Sequence, residues 1–139
     1  MRANPEQLLG LLREERACCA GVLGLIEQQQ GFIRACLWEK VLLVSHQVAI
    51  HFDQAPEIRL RRARLQRQIA REHAPPPDAL LPEALSKLPP EFRAKAGVLV
   101  GETDDVLQQI QGWLRRNEQA IARAFTVSEK MIRALKPTF

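Results

Sequence analysis

Residues 92–131 keep a seven-residue rhythm that few folds other than packed helices can use. Positions 92, 99, 106, 113, 120 and 127 carry Phe, Leu, Val, Trp, Ala and Val; positions 96, 103, 110, 117, 124 and 131 carry Ala, Thr, Ile, Asn, Ala and Met. Spacings of three and four, repeated about six times, draw a seam along one side of an α-helix. A second row, Val100, Leu107, Leu114, Ile121 and Leu135, lies beside it. Phe125 and Ile132 widen the apolar face beyond what one neighbouring helix can cover. Asn117, polar and on the seam, is placed to set register at some cost in stability.

The rest of the chain also reads as helix. Asn4-Pro5-Glu6 is a helix start, with a capping side chain, a proline in the first turn and an acid near the positive end of the dipole. Apolar residues then recur through Leu8, Leu12, Cys19, Val22, Ile26, Ile33, Leu37, Val41, Val44 and Val48, which predicts one long helix over about 5–53. Gly21, Gly24 and Gly31 mark a bend or a close approach by another helix. Asp53-Gln54-Ala55-Pro56 reads as the stop. A second helix, over about 57–73, has a narrow stripe of Ile58, Leu65 and Ile69. Ala74-Pro75-Pro76-Pro77 ends it, and 74–90 is a Pro-rich connector with a short turn after Asp78, running back along the molecule. The third helix covers about 91–136, with Pro137 closing it.

At about 1.5 Å per residue the first and third helices are each roughly 70 Å long and the second about 25 Å. The expected architecture is all-α, in one domain over 1–139. It is a bundle built on an antiparallel hairpin of two long helices, with a shorter third. The short helix covers only part of the groove, so apolar surface stays open, and such surface points to a partner.

Composition supports a folded helical protein. The 139 residues are 46% hydrophobic and 26% charged, with five Phe, two Trp and no Tyr, a poor supply for sheets. The net charge of +4 is local. Residues 54–77 hold six Arg (Arg59, Arg61, Arg62, Arg64, Arg67 and Arg71) against two Glu. Residues 1–53 carry five basic and six acidic side chains, and 78–139 carry nine and eight. The basic helix therefore reads as a solvated face, a nucleic-acid contact through Arg59 to Arg71, or a contact for an acidic protein. No aromatic residue interleaves the arginines, which counts against a single-strand stacking platform and against nucleic acid generally.

Nothing in the sequence marks an enzyme, a metal site or a cofactor. His46 and His51 are five apart, and no acid stands three residues before His46. His46 is followed by Gln47, Val48, Ala49 and Ile50, unlike a phosphotransfer histidine. The third histidine is His73. Cys18, Cys19 and Cys36 form no C-x-x-C pair and read as reduced, mostly buried residues of a cytosolic protein. Trp38 and Trp113 read as core. No secretory leader is expected, because Glu14 and Glu15 interrupt the first apolar run. The longest uncharged stretch near the start has about ten residues, and spanning a membrane takes about 20.

The layout resembles the FlgN family of flagellar type III export chaperones. The similarity lies in the helical stretch from Glu27 to Lys40 with Val41-Leu42-Leu43 following, and in the short Arg-rich helix. It continues through Ala79-Leu80-Leu81 with Leu85 and Leu88 in the connector, and through Trp113-Leu114-Arg115-Arg116-Asn117 with Ile121 in the last helix. Leu114 and Glu118 stand where the family often has Asn and Gly, and the chain has no Tyr for an export-gate contact. The resemblance implies a cytoplasmic, non-enzymatic bacterial chaperone. It would hold the C-terminal amphipathic helices of hook-associated (hook–filament junction) proteins, deliver them for export and meet export-gate or ATPase components. Leu107, Leu114, Ile121, Phe125 and Ile132 would dock the helix in a groove, Asn117 would fix register, and Arg115 or Arg116 would touch the rim. The alternatives are a small nucleic-acid-binding protein and a self-associating helical adaptor, in which a second copy covers the open row.

Overall fold

Asn4 opens the first helix as its sequence predicts. Its side chain accepts a hydrogen bond from the Glu6 N–H at 2.9 Å, Pro5 occupies the first turn, and α1 runs Pro5–Arg34. The computed structural model describes residues 4–72, 85–86 and 88–135. Two further helices follow, α2 over Trp38–Glu72 and α3 over Pro90–Leu135. The all-α class is as expected, but two of the helix boundaries are not.

The first break comes about twenty residues before the expected one. The Leu37 N–H donates to the Phe32 carbonyl at 2.9 Å and the Cys36 N–H to the Ile33 carbonyl at 3.0 Å. This paired closure is a Schellman turn, and it needs its penultimate residue in the left-handed region. Cys36 takes that place with φ 56°. A glycine there would have announced the turn, and the sequence offers a cysteine instead. Leu37, 43% exposed, lies in the gap between the two helices' stripes and makes them look continuous.

The expected stop at residues 53–56 does not stop anything, because α2 passes through Pro56. Proline removes one helical hydrogen bond and crowds the preceding turn. Here Pro56 and Phe52, whose carbonyl loses its helical partner, are both exposed residues. The seam holds on either side. Val41, Val44, Val48, His51, Ala55, Ile58, Arg62, Leu65 and Ile69 follow spacings of three and four without a phase change. The basic "second helix" is therefore the C-terminal half of α2. The helices measure about 45, 52 and 69 Å in chain order, so the expected long–short–long order is replaced by a steady increase.

The direction of packing is also corrected. Contacts between α1 and α3 keep a near-constant separation in sequence: Arg16–Glu102 at 86, Gln29–Asn117 at 88 and Ile26–Asn117 at 91. The first and last helices therefore run parallel. Between α1 and α2 the separation grows toward the α1 N-terminus, from 16 at Gln29–Ser45 to 33 at Cys18–His51 and 47 at Glu14–Arg61. These two are antiparallel. Both outer helices pack on α1, which lies between them. The connector reading falls largely outside the described residues, but Leu88 is buried and its N–H donates to the Leu85 carbonyl at 3.1 Å.

The core has two parts. Leu8, Leu9 and Leu12 of α1 meet Leu65 and Ile69 of α2, Leu88 just before α3, and Ala96 and Leu99 near its start. Further along, Cys19, Val22 and Ile26 meet Ile110, with Leu107, Trp113 and Leu114 packed at the edge. Leu8, Leu9 and Ile26 are fully buried, each worth roughly 1.5–3 kcal/mol relative to exposure. Of the glycines thought to admit another helix, only Gly21 has a neighbour: a Cβ there would meet the His51 ring at 3.4 Å. Gly24 and Gly31 face open space.

Candidate functional site

Register decides which part of α3 is left uncovered. Asn117 is level with Ile26 and Gln29, so Arg34, the last residue of α1, is level with roughly residues 122–125. Beyond that point α3 continues to Leu135, an overhang of about 15–20 Å. Among the described residues, no part of α1 lies opposite its apolar side chains, and only the start of α2 reaches its foot. Phe125 is 65% exposed, Ile132 59% and Leu135 79%, and Val127, Met131 and Ile121 are exposed too.

The foot of the overhang is shaped by the start of α2. Trp38, expected in the core, is exposed at the bundle end instead. With Ile121, Ala124, Phe125 and Ser128 it lines a cleft of about 180 Å³. Its supposed mate Trp113 is half-buried against the second core cluster, with the Arg116 guanidinium 4.8 Å from the ring centre. The two tryptophans belong to different surroundings.

A polar layer closes the core just below. The Asn117 amide donates to the Ile26 carbonyl at 3.1 Å and to Gln29 Oε1 at 3.3 Å. The Gln29 amide donates to the Val41 carbonyl at 3.1 Å and to Ser45 Oγ at 2.9 Å. All three helices are thereby tied at one level. Asn117 is 2% exposed, so its proposed contact with a partner is corrected: it sets the α1–α3 register from inside.

The remaining expected docking residues divide. Ile121, Phe125 and Ile132 are gathered on the overhang. Leu107 and Leu114 are half-buried against α1 and offer only an edge. Arg115 is exposed on the side of α3 away from α1, while Arg116 lies over Trp113. Two features were missed. One is Trp38 at the foot of the overhang. The other is a scatter of exposed apolar residues on the outer face of α2, namely Leu42, Leu43, Ile50 and Leu60. The first could have been found had the break at Cys36 been seen, since it places residue 38 at a bundle end.

The basic half of α2 is partly engaged within the fold. Arg61 pairs with Glu14 at 2.6 Å, Arg62 pairs with Glu15, and Arg59 stands 3.9 Å from the same Glu15. Glu15 is 7% exposed, and a carboxylate so placed needs cations beside it. These three arginines therefore neutralise α1, while Arg64, Arg67 and Arg71 remain on the exposed side. The cysteines are free: Cys19 is buried, Cys18 half-buried and Cys36 exposed, which corrects the expectation for Cys36. Burial, then the neighbouring Cys18, pushes the Cys19 thiol above its ordinary pKa.

Among the described residues there is no cluster of metal-ligating side chains and no helix long and apolar enough to cross a membrane. A bundle of helices with a bare amphipathic extension has a surface of the kind on which another helix can dock. Comparison with known families matches the model for FlgN protein over residues 1–139. The chain belongs to the FlgN family, a family of flagellar export chaperones. Comparison with curated proteins and with solved structures returned no match.

Proposed function

We propose that this chain is a cytoplasmic chaperone. It holds the C-terminal amphipathic helices of hook–filament junction proteins and hands them to the type III export machinery. The observation that carries the proposal is the α3 overhang, which presents Ile121, Phe125 and Ile132 to solvent beyond the end of α1, with Trp38 at its foot. A cargo segment disordered alone folds as it docks, at an ordering cost of about 2–5 kcal/mol. Covering four such side chains returns roughly 1–2 kcal/mol each, which offsets the ordering cost. No covalent step is involved. The bound apolar face is kept from pairing with other chains until it is released.

The test is calorimetric titration of the full chain with the C-terminal segment of a hook–filament junction protein. Binding is expected, and Phe125→Asp with Ile132→Asp should remove it while the far-ultraviolet helical signal stays unchanged. Full binding by that double variant would move the cargo site off α3.

A further inference from the structure

The overhang has two charged edges of opposite sign. Asn117 points at α1, and at about 100° per residue the exposed apolar side chains of residues 121–135 fall within about 80° to either side of that direction. Glu129 borders the arc on one side at about 120°, with Glu118 at about 100° just below the overhang and Arg133 behind Glu129 at about 160°. Arg123 and Lys130 border it on the other, about 120–140° the opposite way, with Arg116 at about 100° just below the overhang. All six are exposed. The space in front of the arc is the lane that α1 occupies lower down and leaves at Arg34.

Resting on the chaperone reading above, we infer that the occupant of this lane is a separate amphipathic helix of up to about four turns. It carries acids along the edge facing Arg123 and Lys130 and bases along the edge facing Glu118 and Glu129. Charges at the edges of a helix seam select partners in this way. A second copy of the chain does not meet the requirement. Two overhangs paired antiparallel about a twofold axis set the basic edge against basic and the acidic edge against acidic. Paired parallel, they match unlike charges, but the copy's α3 then runs into the lane that α1 already fills.

Three synthetic peptides of about 15 residues, sharing one Leu/Ile stripe, test the inference. One has an acidic and a basic edge, one has two acidic edges, and one has two basic edges. The junction-protein segment serves as a fourth ligand. The full chain should bind the mixed-edge peptide about fivefold to tenfold more tightly than the other two. Arg123→Glu with Lys130→Glu makes both edges of the overhang acidic and should transfer the preference to the doubly basic peptide. Phe125→Asp should abolish all binding.

If the three peptides bind equally, or none binds while the junction segment still does so in a Phe125-dependent way, the charge assignment is overturned and the chaperone reading stands. If Phe125→Asp changes nothing, the cargo site lies off α3 and the charge assignment falls with it, while the chaperone reading stands on binding of the junction segment. Light scattering of the chain alone should give the monomer mass; a dimer that Phe125→Asp dissolves would overturn the occupant.

Discussion

Asn117 and Gln29, on parallel helices and 88 residues apart in sequence, share a buried hydrogen bond of 3.3 Å. Through Gln29 the bond extends to Val41 and Ser45, so one side chain on α3 is linked to α2 across α1. Asn117→Ala leaves the Ile26 carbonyl and Gln29 Oε1 without this donor. The expected loss is about 1–3 kcal/mol in urea unfolding. Asn117→Leu combined with Gln29→Leu should recover much of it, since removing both partners of a buried polar contact costs less than removing one.

Cys36 holds a left-handed backbone conformation that glycine adopts without steric cost. Cys36→Gly should therefore stabilise the fold by about 0.5–1 kcal/mol, after allowing for the greater freedom of glycine in the unfolded chain. Cys36→Val should destabilise it, since a branched side chain is strained there. Thermal melts of the two variants, moving in opposite directions, check the turn.

Pro56 interrupts the hydrogen bonding of a helix whose seam continues unbroken past it. Pro56→Ala should stabilise by about 1–3 kcal/mol. An unchanged or lowered urea midpoint would mean that α2 depends on a local bend at this point.

Exposure separates the proposed binding surface from the core in a stability assay. Phe125→Asp and Ile132→Asp should leave stability within about 0.5 kcal/mol. Ile110→Ala, at a buried position in the second core cluster, should cost about 2–5 kcal/mol. Equal losses at the two kinds of site would show the overhang to be packed in solution.

The thiols should differ in rate. Cys36 is exposed and Cys19 is buried with its pKa raised, so less thiolate forms at Cys19 at any given pH. Alkylation at mildly alkaline pH, read by peptide mass, should mark Cys36 first and Cys19 last. The raised pKa also means that burial of Cys19 favours the fold below the ordinary thiol pKa and ceases to do so as pH climbs through the higher folded value.

Helical class and the seam of α3 were legible because a packed helix repeats its signal every three or four residues, and Phe92, Leu99, Val106 and Trp113 leave little choice. The boundaries were not. Asp53 and Pro56 are strong local signals, yet the seam from Val48 through His51 and Ala55 to Ile58 keeps its phase across them. Its members there are polar or small, so the continuity is easy to overlook. The polar seam residues could not be interpreted one helix at a time. Glu15 gains sense only beside Arg62, and Asn117 only beside Gln29; these pairings exist between helices, not within them. The overhang was half legible: the surplus apolar row was plain, but where it becomes exposed depends on where α1 ends.

The parallel course of α1 and α3 bears on the order in which the molecule is assembled. The α1–α2 hairpin closes loops of a few tens of residues, as at Gln29–Ser45 and Cys18–His51, whereas every α1–α3 contact spans close to ninety. Loop-closure entropy grows with length, so the hairpin is the cheaper nucleus. On the ribosome it is also the first piece to emerge. The last helix then docks onto a prepared surface and carries its own uncovered end into place. If the overhang is the cargo site, a chain lacking α3 would lack that site while keeping the residues of the hairpin.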